Sequence, residues 1–566
     1  MKVTVAGLCL ALASGGAYAS ETADLVIYDG HIITVDKQSS VTSAMVVREG
    51  KIIAVGADAL ARRFHAQQTI DLHGQAVVPG FMDDHLHLFG KPHRNVDLSK
   101  AGSIEEIKRL IRSKAQELGP GEWVVGNDWD ETHFAEHRLP TRTDLDEAAP
   151  GNPVVLVRAG GHSVAANALA FKAAGIDRTS PNKGYVIDHD ANGELTGIVR
   201  EGFGAFMSKV PSDSQEQLEP SFIEALKALL PLGITSAVIA GAQLDDSKTT
   251  MGGNLPSWPE WQKIYSTMGS DLPRMSVQIL WPGAEKLQAF PHHTGYGDDR
   301  LKLGAIGETP GMDGGMTGPT ACTLHDYYKH PGFRGQCNVT DDQLQELLDT
   351  AATHGWQVGL HSIGDRAIQQ LVAGYAQALQ RYKLKDPRWF TSHFSFLPPQ
   401  ETLALMKKYD IPAAQQPNFA YTLYQRYVDN VDPETREHVM PVATPDRMGI
   451  HVAFGSDDLP IGPILGIYAA VTRKGPTGER LAPAEAVSVQ DAIRMYTLGT
   501  AYLTWDEKKK GSLETGKFAD FLVLDRNPLT IAPDDLKNMQ VDMTVIGGRI
   551  VYGRQGTAYA GLVQTN

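Results

Sequence analysis

Cysteine is scarce in this chain: three residues in 566. Cys9 lies in an N-terminal apolar stretch, which leaves Cys322 and Cys337 for the folded body. Two cysteines do not make a disulfide scaffold, and no Cys-x-x-Cys pair or Cys/His finger spacing is present to build a structural zinc module. In an oxidising compartment the two can close the loop "CTLHDYYKHPGFRGQC"; otherwise they remain separate thiols. Positive charge is also in deficit. A formal net charge of −14 and a pI near 5.7 argue against nucleic acid or an anionic membrane as partner. The one basic run, "EKKKG" at Glu507 to Gly511, reads as a solvated loop. No strand is followed by G-x-G-x-x-G, no G-x-x-x-x-G-K-[ST] occurs, and internal repeats are not visible, so nucleotide-cofactor binding has no support.

What is present is the composition of a soluble globular protein, 42% hydrophobic and 21% charged, with enough chain for a large barrel with insertions. The first residues differ from the rest. Lys2 precedes an apolar run from Val3 to about Ser14, which ends in Ala17-Tyr18-Ala19, the small-x-small pattern of signal-peptidase sites. The run is too short for a comfortable permanent span. Residues 1–19 are therefore expected to be a signal peptide, with the mature protein periplasmic or secreted and without a stable membrane anchor.

From Asp24, "DLVIYDGHIITVD" and "AMVVREGKIIAVG" alternate apolar and polar residues around glycine turns, as do "GSLETGKFADFLVLDRNPL" and "MTVIGGRIVYGR" near the other end. Strand-rich ends around a long middle predict one small β domain from residues 20–80 and 506–566, clamped to a central domain over 81–505. The middle alternates helices with strands. "TDDQLQELLDTAATHG" is a helix capped by Thr340, followed by the strand "WQVGLHSIG"; "PQETLALMKKYD" is a helix leading into "IPAAQQ". Repeated units of this kind imply an α/β fold with a parallel sheet, either closed or doubly wound. The segment 91–211 breaks the rhythm and is expected to be an insertion over one end of the barrel.

The chemistry collects at strand ends. In "VVPGFMDDHLHLFG", His85 and His87 are two apart, so in a strand both point to one face. His361 ends "WQVGLH", His393 ends "RWFTSH" and Asp457 ends "HVAFGSD". In a closed parallel barrel the carboxyl ends of all strands meet at one face, where such folds build their sites. Each residue alone reads as a satisfied core histidine or a capping aspartate; five at equivalent strand ends read as a site for Zn²⁺ or a similar divalent ion.

These stretches, "VVPGFMDDHLHL", "GLHSIGDRAI", "VAFGSDDLP" and "GSLETGKFADFLVLD", resemble the amidohydrolase superfamily. "WVVGNDWDETHF", "RAGGHSVAANALAFKAAGI" and "DGGMTGPTA" resemble its YtcJ-like branch, which includes N-substituted formamide deformylases. The resemblance runs from about residue 24 to 555. It implies a distorted TIM (β/α)8 barrel with a composite β-sandwich domain from both termini, one or two divalent metal ions, expected to be Zn²⁺, and hydrolysis of a small-molecule substrate. His85 and His87 match first-strand ligands, His361 and His393 those of the fifth and sixth strands, and Asp457 the eighth-strand aspartate that binds metal and moves protons. Trp129 and His162 match positions near the substrate pocket, where they would shape it or, alternatively, pack within the lid. In many relatives a carboxylated lysine on the fourth strand precedes an Asp-Gly pair by four residues. Here Thr309 holds that spacing before Asp313-Gly314, Lys302 comes early in the strand, and Glu308 ends it with a carboxylate already in place. Glu308 is thus preferred over Lys302 as a bridging ligand. The expected function is metal-dependent hydrolysis of a non-peptide carbon–nitrogen bond: an amide, formamide or cyclic amide. A deaminase, a lactone or ester hydrolase and a non-catalytic periplasmic binding protein are the alternatives carried forward, and a homo-oligomer is compatible with each.

Overall fold

The computed structural model describes residues 21–88, 93–182, 184–211, 215–245 and 255–564. The expected signal segment, residues 1–19, lies outside the described residues. Among those described, no helix is long and apolar enough to cross a membrane.

The centre is an eight-stranded, all-parallel sheet whose strand order follows the chain. Its strands are Phe81–Leu86, Ile234–Ala242, Arg274–Ile279, Leu301–Glu308, Val358–Ser362, Phe390–His393, Ala413–Gln415 and Val452–Phe454. Most are buried along their whole length, the mark of a parallel sheet covered on both faces. The first and eighth strands meet through side-chain and backbone bonds: Asp457 N–H donates to His85 O at 2.8 Å, and Ser456 N–H to Asp83 Oδ1 at 3.0 Å. Register shifts in the first four strands and three-residue seventh and eighth strands make this a distorted TIM barrel, as expected. The crossover helices follow local sequence rules. Asp341–Thr353 starts at Thr340, whose hydroxyl accepts from Gln343 N–H in a reciprocal capping box, and its buried face is Leu344, Leu347, Leu348 and Ala351.

Both ends of the described chain build a two-sheet sandwich. Lys51–Gly56, Ala44–Arg48, Glu21–Tyr28 and Phe64–Asp71 form one sheet. Arg549–Gly553, Val541–Ile546, Phe521–Leu524, Ala76–Pro79, His31–Ile33 and Val41–Thr42 form the other. Alternation explains why Phe521–Leu524 is buried throughout: Phe521 and Val523 pack into the sandwich core, Leu522 and Leu524 against barrel residues such as Phe454 and Ile493. Arg274 of the third barrel strand reaches Asp520 with both ends of its guanidinium, at 2.8 and 3.1 Å, fastening sandwich to barrel in a buried ion pair.

The segment after the first barrel strand carries its own six-stranded mixed sheet, from Asn95–Asp97 to Leu195–Arg200, with its own apolar core. Cys322 and Cys337 are paired in a disulfide, with Cα atoms 5.2 Å apart.

Candidate active site

At the carboxyl end of the barrel the strand-end residues converge. His85 is fully buried, and its Nε2 lies 3.3 Å from His87 Nε2. Glu308, the last residue of the fourth strand, reaches all four histidines. Its Oε2 lies 3.6 Å from His85 Nε2 and 3.9 Å from His393 Nε2, and its Oε1 lies 3.8 Å from His87 Nε2 and 3.6 Å from His361 Nδ1. Asp457 stands opposite, with Oδ1 3.6 Å from His87 Nε2 and Oδ2 3.9 Å from His393 Nδ1. Three triads, His85–His87–Glu308, His85–His393–Asp457 and Glu308–His361–His393, each present one donor atom per residue within 4.8 Å of one another. Donors about 2.0–2.2 Å from a tetrahedral ion sit roughly 3.3–3.6 Å apart, close to these spacings.

The backbone is bent to achieve this. Glu308, His393 and Asp457 all adopt positive φ, at 61°, 72° and 60°. Non-glycine residues rarely do so, and the cost of order 1–3 kcal/mol each is characteristic of functional sites. Burial would raise the Glu308 carboxyl, but contacts with His361 and His393 outweigh it and hold the group well below the usual carboxylate range. Burial lowers His361, yet Glu308 and then Asp313 reverse the balance and lift it to about 9. His85 and His393 go the other way, held down by burial and neighbouring imidazoles, His393 to about 4. Asp457 is pushed up to about 7 by burial and by the Glu308 charge.

The donor set fits a divalent ion. Glu308 Oε2 and His393 Nε2 are buried and make no hydrogen bond, a costly arrangement unless a cation completes it. His393 is also oriented from behind, with Nδ1 2.8 Å from Gln416 Oε1, the usual way of leaving Nε2 as the donor. Lys302 is elsewhere. It sits six residues before Glu308, and its Nζ donates to Thr504 O and Asp506 Oδ2, both at 2.7 Å, near the opposite end of the barrel.

Above the cluster lies a cavity of about 640 Å³, shared by barrel and insertion, a size suited to a small molecule. Apolar walls come from Val125, Val157, Met207, Leu280, Ile363 and Phe419; His87, Glu308, His361, His393 and Asp457 line the same space. His162 lines it too, its ring centre 6.0 Å from that of His361. Trp129 does not. Regular alternation would set it beside Val125 and Asn127, which face the cavity, but the strand slips register between Asn127 and Trp129, with Asp128 at φ 65°. Trp129 is turned to the opposite face, fully buried beside Phe134 and under the Arg158 guanidinium. Of the two readings kept open for Trp129, substrate contact and packing within the lid, the structure shows the packing.

Sequence reasoning missed three acidic residues. Asp83 shares the face of His85 by alternation and stitches first strand to eighth, accepting from His85 N–H at 3.2 Å and Ser456 N–H at 3.0 Å; its spacing from the histidine pair was the available signal. Asp313 accepts from the backbone N–H groups of Cys322, Ile363 and Gly364, at 2.7 to 2.9 Å, and so shapes the loop after His361. Glu201 lies 3.0 Å from His162 and had no sequence signal.

The amidohydrolase family's sequence pattern matches residues 68–552, most of the chain. The chain belongs to the amidohydrolase family. It is 29% identical over 540 residues to the YtcJ protein of Bacillus subtilis (strain 168), covering 93% of this chain and 98% of that one. It is 27% identical over 562 residues to the N-substituted formamide deformylase of Arthrobacter pascens, covering 94% and 99%. Among solved structures, a metal-dependent hydrolase from Pyrococcus horikoshii OT3 superposes with a TM-score of 0.69 at 23% identity, covering 90% of this chain and 99% of that one. That likeness establishes the shared fold. Family membership places the chain among proteins of the hydrolase type.

Proposed function

We propose that the protein hydrolyses a non-peptide amide, formamide or cyclic amide, with His85, His87, Glu308, His361, His393 and Asp457 holding one or two Zn²⁺ ions. The observation that carries the reading is Glu308: one buried carboxylate set against four histidines at the floor of a small-molecule cavity. The deformylase relative supports an N-substituted formamide as the first substrate to try.

A bound divalent ion supplies Lewis acidity and acidifies water at neutral pH. The chain's own groups handle the rest. Asp457 accepts the proton of the attacking water and returns it to the leaving nitrogen, as general base and then acid. Burial and then the charge of Glu308 raise the Asp457 pKa; a divalent ion held by these residues would favour the Asp457 carboxylate, the form that accepts a proton. His162 hydrogen-bonds the substrate, and the apolar walls seat its organic part while excluding water.

The test is metal analysis of the protein together with a panel of N-substituted formamides, anilides, lactams and lactones. Release of amine with formate or carboxylate, abolished by chelation and restored by Zn²⁺, is the expected result. Ammonia release points to a deaminase, and tight binding without turnover of any member overturns the reading.

A further inference from the structure

Among the polar groups that the insertion brings to the cavity, His162 and Glu201 form a linked pair. His162 Nδ1 lies 3.0 Å from Glu201 Oε2, and Glu201 Oε1 accepts a 2.7 Å hydrogen bond from the Thr320 hydroxyl. The backbone ties the pair again, Glu201 N–H donating to His162 O at 2.7 Å. His162 precedes the strand Ser163–Ala166 and Glu201 follows its antiparallel neighbour Leu195–Arg200, so the sheet brings together residues 39 apart in sequence. Thr320 comes from the barrel side. The loop between Asp313 and Thr320 passes close enough to require glycine: a Cβ on Gly315 would lie 2.6 Å from His162 Nε2, and one on Gly314 would lie 2.1 Å from Thr320 Oγ1.

We propose that Glu201 is a positioning residue that grips His162 by Nδ1, so that Nε2, left with its lone pair, is presented as an acceptor to the N–H of an amide seated over Glu308 and Asp457. A carboxylate acceptor requires a proton on Nδ1, which fixes the ring's orientation and leaves the opposite nitrogen for the ligand. Both His162 and Glu201 line the cavity, so the pair is set where a substrate would lie instead of inside the insertion's apolar core. A ring nitrogen oriented by a carboxylate that is itself held by a third group follows the logic of a catalytic triad, here carried by histidine, glutamate and threonine from two structural units. Thr320 completes the clamp by holding the second carboxylate oxygen, which ties the insertion's His–Glu pair to the barrel. Misplacing such a group by about 1 Å costs on the order of 10²-fold in rate. The proposal rests on the amide-hydrolase reading, and two measurements separate the two.

The first does not need turnover. The metal-loaded protein, labelled with ¹⁵N-histidine, is titrated with N-methylformamide, acetanilide and 2-pyrrolidinone as amide probes. The His162 Nε2 resonance, assigned by H162Q, should shift with at least one probe in the wild type, and that shift should vanish in Glu201→Ala while metal content is unchanged. The second is a kinetic cycle on the amide turned over best. Glu201→Ala and His162→Ala should each lower kcat/KM by about 10²-fold, chiefly through kcat, as for a substrate left misplaced at the reacting groups. The double variant should be no worse than His162→Ala alone. Glu201→Gln, which keeps both the shape and an acceptor oxygen, should stay within about 10-fold of wild type. Additive losses near 10⁴-fold in the double variant, Glu201→Gln no better than Glu201→Ala, or a His162 resonance that no probe moves would overturn the proposal. A probe-dependent shift without hydrolysis would leave the positioning role standing and remove the hydrolase reading.

Discussion

Glu308→Gln isolates the charge that the site is built around. The carboxylate lies 3.6–3.9 Å from a nitrogen of each of four histidines, and its pKa is held well below the carboxylate range by His361 and His393 against the effect of burial. Glutamine keeps the volume and one oxygen but removes the charge. A unit charge about 4 Å from another is worth roughly 4 kcal/mol at an effective dielectric of 20, and a neutral oxygen recovers part of that. Metal affinity should therefore fall by about 10²–10³-fold, since each decade is about 1.4 kcal/mol. The assay is metal content after dialysis against graded chelator, read beside Lys302→Ala as control. Lys302 is bound to Thr504 and Asp506 far from the cluster, so its variant should retain metal as wild type does. Unchanged metal affinity in Glu308→Gln, or metal loss in Lys302→Ala together with bicarbonate-dependent activity of the wild type, would refute the reasoning.

Three other outcomes follow from separate parts of the molecule. Gly315→Ala places a Cβ 2.6 Å from His162 Nε2, so it should displace that ring and lower kcat/KM at least about 10-fold with metal content intact; an unchanged rate would show that the ring position is unimportant. Asp144 caps its helix through Thr141 and pairs with Arg138 at 2.7 and 2.9 Å; burial raises its pKa, but Arg138 and Thr141 outweigh that and hold it at about 2. Because the folded value lies below the unfolded value of about 3.9, its stabilisation is complete above that pH and lost as pH falls through about 2. With Arg138 half exposed, Asp144→Asn should cost only about 1 kcal/mol at pH 7, and denaturation curves of mutant and wild type should converge between pH 4 and 2; a gap independent of pH would contradict the assignment. Sequencing the N-terminus of protein made in its own cell should begin near Ser20, and an intact Met1 would exclude the expected export.

The barrel was legible because its strands are short apolar runs that end in residues able to bind metal, and because His85 and His87 obey strand alternation. Glu308 could be preferred over Lys302 for the same reason, since it alone stands at the end of its strand. Trp129 shows where alternation fails: one residue, Asp128 at positive φ, reverses the face of Trp129 at the strand's end, and nothing in "GNDWDE" announces the slip. Glu201 was beyond reach for a different reason. Its partners His162 and Thr320 are 39 and 119 residues away, and only the folded insertion lying against the barrel loop brings them together. The backbone-binding role of Asp313 likewise appears only once Cys322, Ile363 and Gly364 surround it.

The most direct measurement compares Asp457→Asn with wild type for turnover, metal content and thermal midpoint on the same amide substrate. Asparagine preserves the shape and an oxygen near His87 and His393 but cannot accept the water proton. General acid–base catalysis contributes about 10²–10⁴-fold, so turnover should fall by at least 10²-fold while metal is largely retained and the barrel stays folded. Near-normal turnover in Asp457→Asn would contradict the mechanism at its centre.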